Sequence, residues 1–334
     1  MDVEQARPAR SIIYLKPQNE WGWQVALYLY LAGIGAGSLA TGILMEWLGY
    51  AHYPSRAILL WGPILVALGA LFLVLKLGIK RRFLNTVLNP KTSWLSRGFY
   101  ILAMCIIVGV IILAISILPL LRIDTDKWSP LLWILDVTGF ILALATAIYT
   151  GILIQAVRYV PFWNTPLLPA LFTVSSLSTG TMATILSVLG YSILTPSEGY
   201  PAQMMNTLTL IEQSLIIIEA LVLALYLFSR YKAEEEGKSS VRLLLSGNLK
   251  FMFWLGIIVP GFFFPIILEF LYSRSHNYHL LLFLAGAFLL IGGLFLRFGV
   301  IYAGIKEQHP FQKLIENQYY LRTFKENQGR FLRF

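Results

Sequence analysis

Long apolar runs alternate with short polar breaks along the whole chain. Eight runs stand out, over about 23–48, 56–78, 98–120, 130–156, 166–192, 206–229, 251–272 and 279–304. Each is close to the ~20 residues a helix needs to cross the hydrocarbon core of a bilayer. The pattern predicts an all-α integral membrane fold of eight transmembrane helices, arranged as two four-helix bundles. The short breaks favour antiparallel neighbours, and the longer ones fall at 79–97, 193–205 and 230–250. The first run follows a polar stretch and shows no cleavage-site pattern, so it reads as a span and not as a signal peptide.

Two internal echoes divide the chain into halves. "ATGIL" (40–44) returns as "MATIL" (182–186), and "AIYTGILI" (147–154) returns as "VIYAGIKE" (300–307). Corresponding spans run in the same direction, which fits two bundles related by an axis along the membrane normal. The expected organisation is a polar N-terminal segment at 1–22, a first bundle at 23–156, a second at 157–304 and a basic polar tail at 305–334. The charged stretch "AEEEGKSS" (233–240) reads as a solvated linker.

Composition agrees with the pattern: 57% of residues are hydrophobic and only 13% charged, against about 25% charged in soluble domains. Gly33, Gly35, Gly37 and Gly42 crowd the first run. In lipid, helices gain nothing by hiding apolar surface from water, so close backbone approach matters more. Gly33 and Gly37 form a GxxxG pair that Ala36 and Ala40 continue. That small face serves helix packing or leaves room for a ligand beside the helix.

Charge sets an orientation. Eight spans put both termini on one side, and that side carries most of the Lys and Arg. They include Arg7, Arg10 and Lys16 before the first span, Lys80, Arg81 and Arg82 in the second loop, and a basic tail. The opposite side has only Arg56, Arg122, Lys127 and Arg274. The positive-inside rule then places both termini in the cytoplasm of a multi-pass cell-membrane protein. The formal net charge of +9 is thereby a topology signal and not a nucleic-acid footprint.

The chemistry on offer is narrow. A single cysteine, Cys105, can neither hold an iron–sulfur cluster nor close an internal disulfide. The four histidines, His52, His276, His279 and His309, fall in loops or the tail, so bis-histidine haem within the membrane is not expected. An electron-handling protein of this kind has no metal relay of its own and must set an organic redox partner beside another subunit's cofactor. Ionisable groups inside a membrane are costly and each is a functional candidate. Glu219 and Arg297 sit within spans, either as an ion pair or on a path for protons. Asp136, Glu46, Glu212 and Glu269 lie nearer the side opposite the termini, as proton-path groups or as interfacial residues. Tyr28 lies about two turns into the first span and Tyr149 about two turns before the end of the fourth. Those spans run in opposite directions, so the two phenols reach a similar depth. A phenol can donate to a carbonyl oxygen from an apolar wall, which is what holding a quinone headgroup requires; tyrosines also populate interfacial belts. The stretch "VPFWNTPLLPALFTVSSLSTG" (160–180) adds Pro161, Pro166 and Pro169 around a helix start, then a face of Ser175, Ser176, Ser178 and Thr179 suited to interhelical hydrogen bonds.

"YTGILIQAVRYVPFWNTPLLPALFTVSSLSTG" closely resembles the matching stretch of the NrfD/PsrC family of polysulfide-reductase-type membrane subunits. "WGWQVALYLYLAGIGAGS" resembles that family's first helix, "LNPKTSWLSRGFYIL" (88–102) its third, and "LAGAFLLIGGLFLRFGVIYAG" (284–304) its last. The resemblance implies a haem-free, quinone-binding subunit, with menaquinone as the expected quinone type. It is non-catalytic alone and docks a ferredoxin-like iron–sulfur subunit, which connects to a molybdopterin catalytic subunit. The implied quinone site lies in the first bundle, where the family's fourth-helix tyrosine falls on Tyr149. An asparagine and a histidine of the family's first helix correspond to Val25 and Tyr28. Tyr28 can donate a hydrogen bond but cannot act as a base near neutral pH, so the route by which a proton leaves is open; Gln24, counted with the quinone-binding residues, and Arg158, on the proton path, are the nearby candidates. The implied orientation also departs from that of the family's well-known members, whose termini face outward. Two other classes stay open: an ion or small-substrate transporter built on the intramembrane carboxylates and Arg297, and a purely structural anchor.

Overall fold

The computed structural model describes residues 18–50, 61–77, 94–118, 123, 128–194, 202–275 and 279–307. These residues are almost wholly helical. In chain order the elements are α1 (Trp23–Trp47), α2 (Gly62–Leu77), α3 (Trp94–Ile117), α4 (Ser129–Gln155), α5 (Leu167–Leu194), α6 (Ala202–Tyr231) and α7 (Glu235–Leu245). A π-helical segment, Met252–Phe263, then runs directly into α8 (Phe264–Ser275), and α9 (His279–Tyr302) follows. Backbone polar groups find no water in a hydrocarbon core, and a helix satisfies them within one segment.

Among the described residues, seven helices are long and apolar enough to cross a membrane, the π segment and α8 together forming one of them. The remaining predicted run, 56–78, appears as α2, a shorter apolar helix. Leu71 and Leu75 on α2, Trp133 and Ile141 on α4, and Ile217 and Leu221 on α6 point outward, as expected of a surface that lipid covers.

Hydropathy follows position. α1 and α5 are the interior helices, with 78% and 72% of their most apolar stretches buried, and their mean hydropathies are only 1.5 and 1.4. α3, by contrast, reaches 2.9 with 39% buried. A helix surrounded by protein can carry hydroxyls because neighbours satisfy them. Ser38 and Thr184 hydrogen-bond at 3.3 Å, and Thr41 and Thr181 at 3.0 Å. Between these helices the glycines act as predicted: a Cβ on Gly37 would overlap the Ser176 carbonyl, and one on Gly180 would strike the Gly37 backbone. α1 and α5 therefore touch backbone to backbone, running side by side in the same direction.

Around this pair, α1 also packs on α2, α4 and α9, and α3 lies against α2 and α4. α5 packs on α4, α6 and α9, while the π segment and α8 lie against α9. The start of α1 meets the end of α9. The Gln18 amide donates to the Gly304 carbonyl at 3.0 Å, and the Gln18 side chain donates to the Ile301 carbonyl at 2.9 Å. The α4–α5 connection is pinned into the same end. Trp163 is fully buried and donates to the Val300 carbonyl at 2.8 Å, and the Tyr226 hydroxyl donates to the Phe162 carbonyl at 2.8 Å.

Two sequence expectations need correction. Most of the supposed linker 233–240 belongs to α7, whose buried face of Glu236, Ser240, Val241 and Leu244 packs on α6 and the π segment. The seventh span is not a uniform α-helix, since its first half takes the wider π form around an internal Pro260.

Candidate functional site

Tyr28 on α1 and Tyr149 on α4 are brought together. Tyr28 is fully buried, Tyr149 is 2% exposed, and the two phenols lie close enough to interact electrostatically. The sequence did not show how Tyr149 is admitted. Its ring lies directly on Gly98 of α3, where a Cβ would overlap the ring and the hydroxyl. Gly98 stands in the "TSWLSRGFYIL" stretch, but nothing in the sequence gives the rotation of α3 that turns it toward α4.

Neither phenol oxygen has a hydrogen-bond partner among the described residues. A buried hydroxyl left unpaired costs about 1–3 kcal/mol. Two such donors within electrostatic reach of each other suit a group that brings carbonyl acceptors into an apolar wall, as a quinone headgroup does. The surroundings are apolar: Val25, Leu29, Ala32 and Leu153 belong to the same buried cluster. Val25 therefore contributes wall and no polar contact. Gln24, immediately before it, is half-buried at the mouth of α1, and Arg158 is exposed on the loop after α4.

The remaining ionisable candidates separate into two places. Asp136 is buried in α4, and Glu46 is half-buried near the far end of α1. In the other half of the chain, Arg297 is fully buried on α9. It makes no direct ion pair with Glu219 among the described residues. It donates instead to the Ser175 hydroxyl, to the Ser176 hydroxyl at 3.2 Å and to the Phe172 carbonyl at 3.4 Å, and stacks 5.0 Å over the Phe172 ring. Ser175 is in turn within reach of Glu219. The expected ion pair is thus bridged by a hydroxyl of α5. Glu212 and Glu269 meet across α6 and α8.

A polar cluster closes the end where α1 begins. The Lys306 ammonium donates to Glu20 at 2.6 Å, the Tyr159 hydroxyl donates to the other Glu20 oxygen at 2.6 Å, and the Trp21 indole donates to Tyr159 at 3.3 Å. The bonds from Lys306 and Tyr159 hold the Glu20 carboxyl below its ordinary range, whereas partial burial and then the bond to Glu20 push the Tyr159 phenol up. His52, His276 and His309 lie outside the described residues; His279 heads α9 and is exposed. Among the described residues no group of three or more His, Cys, Asp or Glu side chains is placed to hold a metal.

Fold and site together define a class: a multi-pass helical membrane protein whose interior presents paired aromatic hydroxyls in one half and buried carboxyls in the other. The family model described as "Polysulphide reductase, NrfD" matches residues 13–307, and the chain belongs to that family. It is 26% identical over 314 residues to a chain of the polysulfide reductase of Wolinella succinogenes, covering 85% of this chain and 94% of the relative. It is 28% identical over 310 residues to protein NrfD of Escherichia coli, with the same coverages of 85% and 94%. A subunit of the selenate reductase of Mesobacillus selenatarsenatis is similar at 24% identity, over 83% of this chain and 72% of the relative.

Proposed function

We propose that this chain is the quinone-binding membrane subunit of an oxidoreductase complex, and that the quinone headgroup sits between Tyr28 and Tyr149. The observation that carries the proposal is the pair of buried, electrostatically interacting phenol hydroxyls with no hydrogen-bond partner among the described residues. Relatives named as parts of polysulfide and selenate reductases support the setting. The partner is a ferredoxin-like iron–sulfur subunit, which leads to a molybdopterin catalytic subunit. It docks at the end where α1 begins and α9 ends, because the phenols lie nearer that end. A menaquinone-type carrier fits best, and the chain adds no haem or cluster.

When bound, a quinone supplies exchange of two electrons and two protons. The chain's residues bind and orient it. Each phenol donates one hydrogen bond toward a carbonyl position, the aliphatic wall excludes water, and Gly98 fixes the ring of Tyr149. Gln24 at the mouth of α1 and Arg158 on the adjoining loop stand where a released proton would leave. The chain alone turns over nothing.

The topology supports eight crossings. The two ends of the helical array meet at Gln18 and Gly304, and ends on one side require an even number of passes, so α2 is the eighth span beside the seven long ones. We assign α1–α4 and α5–α9 to two bundles, which meet along α1, α4, α5 and α9. We place both termini in the cytoplasm, on the distribution of Lys and Arg.

The test uses the full chain in detergent, stripped of endogenous quinone and titrated with a short-tailed quinone while intrinsic fluorescence is followed. Saturable quenching that weakens in a Tyr28→Phe, Tyr149→Phe double variant supports the proposal. Absence of binding in the wild type refutes the function, and undiminished binding in the double variant refutes the site.

A further inference from the structure

Glu212 and Glu269 are buried carboxyls whose bonding the fold leaves unexplained. They are 0% and 1% exposed, and none of their four carboxyl oxygens completes a hydrogen bond to a donor. The two carboxyls nevertheless lie within hydrogen-bonding reach of each other, with Gln213 alongside Glu269. Two ionised carboxylates have only acceptors to offer and repel each other, whereas a carboxyl pair out of water that holds one proton becomes donor and acceptor. The missing donor is therefore a proton.

Further groups continue from this pair. Glu219 lies seven residues beyond Glu212 on α6, two turns or about 10.5 Å along the same face. It borders a narrow cavity of about 10 Å³ lined by Thr179, Gly261, Gly292 and Gly293, about the space that one water needs by the same measure. Ser175 and Ser178 of α5 lie beside Glu219; the Ser178 hydroxyl is fully buried and completes no bond of its own. Beyond Ser175 stands Arg297, whose Nε also lacks a partner. The cavity sits where the π segment comes against α9, at Gly261 and Gly292. π-helical turns recur at functional sites, where their irregular bonding frees backbone groups. Around the carboxyls, the charged groups facing in are Glu212 and Glu219 from α6, Glu269 from α8 and Arg297 from α9, while α5 contributes hydroxyls.

We infer that Glu212 and Glu269 store one proton between them and exchange it with Glu219, two turns along α6, where the cavity has room for one water, Arg297 closing the path. In each step an O–H bond breaks at the donor carboxyl and one forms at the acceptor, with water carrying the proton between. The pair is left doubly ionised until it regains a proton. Arg297 does not give up its own proton; its fixed positive charge offsets the Glu219 carboxylate and bars a hydrated proton from going further. This inference does not rest on the quinone reading, because every readout below is made without quinone.

The test is infrared spectroscopy of the full chain in lipid at neutral pH, in ordinary and in heavy water. Wild type minus a Glu212→Gln, Glu269→Gln double variant is expected to show the carbonyl band of a protonated carboxylic acid, shifted by deuterium. No such difference band overturns the stored proton. In Glu219→Gln the deuterium exchange of that band is expected to slow by about a hundredfold, the scale of losing one positioned proton carrier; an unchanged exchange rate overturns the path. Glutamine keeps the shape of glutamate, and the protection of Cys105 from thiol reagents verifies that each variant is folded.

Discussion

Replacing Tyr149 by phenylalanine should move stability and ligand affinity in opposite directions. The hydroxyl is buried and has no partner, so the ligand-free protein holds a desolvated donor at a cost of about 1–3 kcal/mol. Phenylalanine removes that cost and keeps the ring on Gly98, and the ligand-free variant is expected to be as stable as the wild type or more so, by up to about that amount. With quinone bound, the same change strips a buried carbonyl of its donor. The loss is again about 1–3 kcal/mol, or about 5- to 150-fold in affinity. The assay is built into the protein: its single cysteine, Cys105, is buried, so a fluorogenic thiol reagent reports unfolding on heating in detergent, with and without quinone. Gly98→Ala supplies the contrast. Its methyl group would overlap the Tyr149 ring, so this variant should lose both stability, by about 1–3 kcal/mol of overpacking, and affinity. If Tyr149→Phe lowers the stability of the ligand-free protein, the hydroxyl has a structural partner and the reasoning fails; if affinity is unchanged, Tyr149 does not touch the ligand.

Gly37→Val drives a side chain into the Ser176 carbonyl and should destabilise by about 1–3 kcal/mol or more, whereas Gly190→Val, where a Cβ meets nothing within 4 Å, should leave the unfolding midpoint in place. Glu20 is held below the ordinary carboxyl range by Lys306 and Tyr159, so its contribution is complete above the unfolded carboxylate pKa and disappears as pH falls through the lowered one. The difference in unfolding midpoint between wild type and Glu20→Gln should therefore be largest near neutral pH and vanish in acid; a difference that persists in acid would exclude the charged tie.

Much of the fold was legible because a bilayer reduces the problem to length and hydropathy. The spans emerge near their expected places, and the Gly33–Gly37 face packs as a small-residue seam. What failed had no one-dimensional signal. α7 was read as a linker because its charges cluster at the start and its apolar anchors, Val241 and Leu244, come only at the end of the element. The π segment depends on how Pro260 and Gly261 meet Gly292 of α9, a contact with a residue some 30 positions away. The ion pair expected of Glu219 and Arg297 was misjudged for a similar reason. Span counting gives depth, while azimuth decides that Ser175 stands between them.

Depth and azimuth also explain why the two polar regions lie on opposite sides of one helix. Tyr28 turns toward α4, and a Cβ on Gly33, five residues further along α1, would reach 3.4 Å from an Arg297 nitrogen. Tyr30, between them, donates to the Leu290 carbonyl of α9 at 2.7 Å. α1 is thus a shared wall, tied to α9 on one side and lined by the phenol on the other. Where it meets α5 at Gly37 and Gly180, backbone lies on backbone with no side-chain layer to absorb displacement, and packed interiors pass strain on more readily than they compress. If a headgroup entering between the phenols shifts α1, the surroundings of Arg297 change with it, because a Cβ on Gly33 would lie 3.4 Å from an Arg297 nitrogen. Coupling between the sites requires no long series of intermediaries, because a single helix borders both.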